Sequence, residues 1–119
     1  MPAFGRDGML KRADIEAVTE YVRSLAGLAV ERTVDLPAGK KTFDQSCLGC
    51  HGEGGKGNRD LGAPNLADSI WLYGSDRASI IDGLWNGRGG MMPAWGGRLD
   101  DVTIKALAIY VHTLGGGER

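Results

Sequence analysis

Five consecutive residues, Cys47-Leu48-Gly49-Cys50-His51, constrain this chain more than any other stretch; they hold both of its cysteines and one of its two histidines. Residues three apart in a helix lie on one side of it, so the two thiols can face one object. The C-x-x-C-H spacing therefore suits a c-type haem: the thiols reach two vinyl groups along one porphyrin edge, and the adjacent imidazole meets the iron. Three other readings compete. A redox dithiol uses the same C-x-x-C, but it normally sits beside a βαβ pattern, and none is legible here. A structural zinc needs four ligands, and beyond Cys47, Cys50 and His51 only the distant His112 remains. A disulfide between cysteines so close is geometrically awkward and leaves His51 without a role.

An electron-carrying haem needs a second axial ligand, and a thioether raises the reduction potential relative to a second imidazole. Met92, about forty residues after His51 and just before the last apolar-periodic segment, is the candidate. Methionine more often simply fills a core. An internal repeat singles out Met92 over its neighbour Met91. Met1-Pro2-Ala3-Phe4-Gly5 matches Met92-Pro93-Ala94-Trp95-Gly96, and Tyr21-Val22-Arg23-Ser24-Leu25 matches Tyr110-Val111-His112-Thr113-Leu114 after a two-residue difference in spacing. Only the second copy is preceded by cysteines. The first copy thus reads as the tail of a preceding domain, giving three expected parts: a remnant over 1–27, a linker over 28–37 and a complete domain over 38–117. On that reading Met1 has no haem to ligate. The remnant helix is expected to fray, dock on a surface not its own or drive dimerisation.

Periodicity places the helices. Ile15, Val18, Val22 and Leu25 share one face of a helix near 12–26 that stops at Gly27. Asp35 and Pro37 start another that runs over Lys40, Phe43 and Cys47. Ser75 can cap a third, carrying Ile80, Ile81, Leu84 and Trp85 and ending at Gly83 or Gly87. Asp100 or Asp101 caps a fourth, with Ile104, Leu107, Ala108, Val111 and Leu114 as its stripe and Gly115 closing it. The stretch 52–74 reads as loop. No segment alternates as a half-buried strand does, so the expected fold is all-α, three to four helices around one covalently bound haem.

Within the loop, Gly52-Glu53-Gly54-Gly55-Lys56-Gly57 satisfies G-x-G-x-x-G to the letter. A dinucleotide-binding turn must follow a strand and open a helix, whereas this one follows Cys50-His51. Its glycines are better read as letting backbone pass close to the haem. Trp71, Tyr73, Trp85 and Trp95 are candidates for walling the pocket and Arg88 for pairing with a propionate, though ordinary packing or exposure suits each as well. His112 falls where the first repeat has Arg23 and reads as a solvated helix residue.

Composition limits the rest. The chain has 119 residues, room for one ordinary domain, and 14 Lys and Arg balance 15 Asp and Glu, which gives no argument for nucleic acid. No apolar run approaches the ~20 residues that span a bilayer, and the first residues lack the apolar stretch of a secretion signal.

C-x-x-C-H, Gly62-Ala63-Pro64-Asn65-Leu66 and Met92-Pro93-Ala94-Trp95-Gly96 followed by a closing helix resemble the monohaem class of cytochrome c domains over 38–117. The resemblance implies that the carbonyl of Pro64 accepts the second ring proton of the ligand His51. More narrowly, Ala63-Pro64-Asn65-Leu66, Ile70-Trp71-Leu72-Tyr73-Gly74, Asn86-Gly87-Arg88 and Met92 to Leu99 look like the second haem domain of the di-haem subunit III of cbb3-type cytochrome c oxidases. The first repeat resembles the end of that subunit's first haem domain. The resemblance implies one haem c on Cys47 and Cys50, with His51 and Met92 on the iron and Pro64, Arg88 and Trp95 around it. It further implies electron relay rather than catalysis, on the periplasmic side of the bacterial inner membrane. The implied partners are other oxidase subunits and a cytochrome donor, with the membrane helix and the first haem site outside this chain. The alternatives are a di-haem cytochrome serving a periplasmic dehydrogenase, and a haem enzyme or sensor if Met92 leaves the iron open.

Overall fold

The computed structural model describes residues 1–115, so the last two residues of the expected 38–117 domain lie outside it. It is helical: α1 (Arg12–Leu25), α2 (Leu36–Ser46), α3 (Leu48–His51), α4 (Arg77–Asn86) and α5 (Asp101–Gly115), with a 3-10 turn at Glu53–Gly55. One isolated bridge, Asn58 with Ala63, is the extended pairing found among the described residues. The all-α expectation holds, with a single-turn helix at the cysteine motif added to the four helices read from periodicity. The chain divides into two compact units, Met1–Gly89 and Gly90–Arg119.

Each boundary in the first unit has a local cause. The Asp35 carboxylate accepts from the Ala38 amide at 3.0 Å and Pro37 stands in the first turn, so α2 starts where its sequence signals place it. The cap of α4 is Asp76 rather than Ser75. One Asp76 oxygen takes the Ser79 amide at 3.0 Å and the other takes the Ser79 hydroxyl at 2.6 Å. A carboxylate beside the positive end of a helix is the better acceptor, and these hydrogen bonds hold Asp76 below the ordinary carboxylate pKa. Gly87, at φ +75°, ends the helix.

The apolar face of α1 is buried, not frayed. Phe4, Ile15, Val18, Val22, Phe43, Cys47 and Leu84 form the core, with Leu10, Tyr21, Leu25, Leu66, Trp71, Ile80 and Ile81 packed against it. Ile15 and Val18 are fully enclosed and Phe43 nearly so. Each such side chain contributes about 1.5–3 kcal/mol relative to exposure. Of the fates expected for the 12–26 helix, docking is the one observed, against α2 and α4.

The α1–α2 crossing is a backbone contact. A Cβ added to Gly39 would lie 2.1 Å from the Ala17 carbonyl oxygen. One turn further along α2, the ring of Phe43 meets Tyr21 with centroids 5.4 Å apart, tilted by 59°. The polar edge of α1 is tied as well. Glu20, though buried, accepts from the Arg77 Nε at 2.8 Å and from the Glu31 amide at 2.6 Å. Arg23 donates to the carbonyls of Ser75 and Ala29.

In the second unit, Asp100 caps α5 through the Thr103 amide at 2.9 Å, one of the two caps the sequence offered. Its stripe residues Leu107, Val111 and Leu114 are exposed, as are Ile109 and Tyr110.

Gly39→Val is predicted to destabilise the protein by about 1–3 kcal/mol or more, the range for forcing atoms into a filled contact. Urea denaturation followed by far-UV circular dichroism would measure it, and an unchanged midpoint would remove the crossing from the account.

Candidate functional site

The cysteine motif follows α2 without a spacer. Cys47 caps α2 and opens α3, and its carbonyl accepts from the Cys50 amide at 3.1 Å and the His51 amide at 2.9 Å. This tight turn places both cysteines and the histidine on one short helical segment. Both thiols are free; Cys47 is buried in the core beside Phe43, whereas Cys50 is exposed.

His51 is oriented from the far side of the loop. Its Nδ1 lies 3.0 Å from the Pro64 carbonyl, and a carbonyl oxygen can only accept, so Nδ1 carries the proton and Nε2 keeps its lone pair. The loop is shaped to make this bond. Gly57 has φ +87°, and a Cβ there would come within 2.8 Å of the Ala63 oxygen and the Asn65 nitrogen. Its amide also donates to the His51 carbonyl at 2.7 Å. The Asn58–Ala63 pairing and the Leu66 amide bond to the Gly55 carbonyl hold the returning strand of chain, and the Asn65 side chain receives the Ala67 amide. Of the glycines in the G-x-G-x-x-G look-alike, Gly57 is the one that lets backbone pass close to the Pro64 segment. Asn58 carries no role in the sequence reading; the Gly57-Asn58 dipeptide is a turn signal that marks it.

The other expected residues fall in both units. Arg88 donates to the Asp82 carboxylate at 2.9 Å and stacks over Tyr73, its guanidinium carbon 4.6 Å from the ring centre, while its Nε is buried with no partner. The Trp71 indole donates to the Asp68 carbonyl at 3.2 Å, so that proton is used within the loop. Trp85 packs against Gly5, where a Cβ would come within 2.3 Å of the indole ring. In the second unit Met92 and Met91 are exposed, and Trp95 lies beneath the Arg98 guanidinium at 5.3 Å. His112 is exposed on α5, as read from the repeat.

These residues fit a covalently held haem. They offer two free thiols on one turn, an imidazole with one nitrogen fixed and the other available, and a buried Arg88 Nε awaiting an acceptor. The same loop leaves Leu61, Ile70, Leu72 and Tyr73 exposed, apolar surface that suits a large apolar ring. The competing readings fare worse. No group of three or more His, Cys, Asp or Glu gathers around a metal position among the described residues. Burial, with a smaller contribution from Cys50, pushes the Cys47 thiol up to about 11, the wrong direction for an attacking redox cysteine.

Because the thiolate is the reactive form, Cys47 should resist alkylation near neutrality. In the haem-free chain, iodoacetamide is predicted to modify Cys50 first, with the Cys47 rate rising about tenfold per pH unit between pH 7 and 9. Peptide mass spectrometry reads both; equal labelling at pH 7 would contradict the buried Cys47.

The similarity of this chain to known proteins agrees with the site. Residues 34–111 match the family model for cytochrome c oxidase, cbb3-type, subunit III. The chain is 58% identical to the cbb3-type cytochrome c oxidase subunit FixP of Bradyrhizobium diazoefficiens, over 99% of its own length and 41% of that protein. It is 49% identical to subunit CcoP of Azospirillum brasilense and 47% identical to CcoP of Cereibacter sphaeroides, again over 99% of this chain. It spans about two fifths of the length of these curated relatives, 41% of the first. With two thirds of its residues inside the family match and both repeats covered by the relatives, the chain belongs to the cbb3-type cytochrome c oxidase subunit III family.

Proposed function

We propose that this chain is an electron-relay station of a cbb3-type oxidase, holding one haem c through Cys47 and Cys50 with His51 and Met92 as axial ligands. The observation that carries the reading is the His51–Pro64 bond beside two free cysteines: it fixes the tautomer and presents Nε2 as a ligand on the turn that bears the attachment thiols. When bound, haem c supplies a one-electron couple whose potential is tuned by its axial ligands and surroundings. Cys47 and Cys50 hold the group in place. Pro64 keeps the His51 ring oriented. Arg88, with its unpartnered Nε, is suited to a propionate, and Trp95 to covering the group.

Met92 is assigned from the repeat and from the chemistry of the couple: a thioether favours the reduced iron relative to a second imidazole and leaves no open coordination position. A closed site transfers electrons without binding substrate, so the chain has no catalysis of its own. The names of its relatives, which are oxidase subunits, favour this over a di-haem cytochrome serving a dehydrogenase. Their subunit identity also supports the other oxidase subunits and a cytochrome donor as partners, at the periplasmic face of the bacterial inner membrane. No helix among the described residues is long and apolar enough to cross a membrane. The reading takes 38–117 as the haem domain and 1–27 as derived from a preceding haem domain, joined through 28–37.

Protein matured with the haem-attachment machinery is expected to give a low-spin reduced spectrum and, when oxidised, a sulfur-to-iron charge-transfer band. Met92→Ala should abolish that band and open the ferrous protein to carbon monoxide. Retention of the band in Met92→Ala would assign the thioether to another methionine; a high-spin wild type would favour an open, sensor-like or enzymic site.

A further inference from the structure

We infer that Asp82 and Asn86 are positioning residues for the haem site: together they hold Arg88 by one edge of its guanidinium and keep its Nε–H open for an incoming carboxylate. The inference rests on the reading of Arg88 as the partner of a haem propionate, and adds what holds that arginine ready.

The backbone of Arg88 is fixed first. Gly87 turns the chain at φ +75°, where a Cβ would come within 2.8 Å of the Met1 carbonyl oxygen. The Arg88 amide donates to that same oxygen at 3.1 Å, and the Arg88 carbonyl accepts from the Met1 nitrogen at 2.6 Å. The side chain then runs back along α4. Its Nε and Cγ lie 3.5 and 3.7 Å from where a Gly83 Cβ would stand, and its guanidinium carbon lies 4.6 Å from the Tyr73 ring centre. The guanidinium is paired at its far edge, where Nη2 donates to Asp82 Oδ2 at 2.9 Å. Nε is sealed from water without an acceptor. A buried N–H left in that state costs more than a typical hydrogen bond gains, so Nε is a donor with an acceptor still to come.

A carboxylate beside an arginine commonly takes two parallel bonds, and Asp82 has a second oxygen that could complete such a fork on Nε. Asn86, one turn further along α4, withholds it: its Nδ2 donates to that second oxygen, Oδ1, at 2.7 Å. The carboxylate is thus shared, one oxygen to each neighbour, and the arginine is oriented without being used up. Stability does not explain the arrangement. The Asp82 side chain is 57% and that of Arg88 37% accessible, and a single exposed ion pair contributes little. What the pair supplies is a fixed donor whose charge is half committed. A propionate reaching Nε displaces no existing bond, and Asp82 sets how much of the guanidinium charge that propionate feels.

Reduction potentials of the haem-loaded chain test this, because neutralising a negative charge beside the group favours ferrous iron. Both residues are exposed, so neither substitution threatens the fold. Asn86→Ala frees Asp82 to close the fork on Arg88 and should lower the reduced-to-oxidised ratio about threefold at fixed poise, a fall of ~28 mV at about 59 mV per tenfold for one electron. Asp82→Asn keeps an oxygen for Nη2 but removes the competing charge, and should raise the ratio by a similar factor. A pair that merely braces the helix would move both variants the same way or neither. In the haem-free chain, the Arg88 Nε–H proton resonance should move downfield in Asn86→Ala and stay in place in Asp82→Asn; haem loading should move it downfield in the wild type. If Arg88→Met lowers the potential while the other two variants fail to shift it in opposite directions, the roles of Asp82 and Asn86 are overturned. If Arg88→Met leaves the potential unchanged and loading leaves the Nε–H resonance unmoved, the propionate reading itself fails, and this inference with it.

Discussion

The contact between α1 and α2 at Gly39 sets the position of everything chemical in the first unit. Because glycine lets the two backbones touch, the faces beyond it close, and Phe43 reaches Tyr21, Ile15 and Val18 reach the core, and α2 is fixed along its length. The cysteine motif begins one residue after α2 ends, so its placement is inherited from that crossing rather than determined by the motif itself. Cys47 is buried for the same reason: it is the last member of the face that includes Phe43. Its raised thiol pKa is thus a consequence of helix packing.

The other half of the site is held by hydrogen bonds of its backbone amides, to carbonyls and to the side chains of Asn58, Asn65 and Asp68. The chain from Gly52 to Gly74 has almost no regular structure, yet its amides are used: Gly57 to His51, Asn58 with Ala63, Leu66 to Gly55. These bonds end at Pro64, whose carbonyl, on a residue with no amide of its own, is free to take the imidazole proton. A rigid helical side carrying His51 and an irregular side orienting it is the usual division between scaffold and functional loop.

Much of this was legible in the sequence, for reasons that differ by residue. Cys47, Cys50 and His51 are local, so spacing alone exposes their chemistry. The helices show as periodicity, and Asp35 and Gly87 show as caps and stops. The partner of a helix face does not show, because periodicity names a face without naming what covers it; hence 12–26 read as an unpartnered remnant while the structure buries it on α2 and α4. Ser75 and Asp76 are adjacent and equally good caps on paper, and only the geometry of the Ser79 bonds separates them. The glycines at 52–57 satisfied a motif for one chemistry and serve another, since letters record permissiveness and not the direction in which φ uses it.

The polar edge of α1 bears on how firmly the first repeat holds its seat. Glu20 is buried and paired with Arg77 and the Glu31 amide, which looks like strong attachment. Removing water from a carboxylate costs much of what the pair gains, so such a bridge adds little relative to an apolar residue that fits the space. What it does supply is discrimination: Glu20 without Arg77 would be a buried unpaired charge, so only a helix that meets Arg77 in the observed register can bring a carboxylate to that point. The first repeat is therefore held in one register.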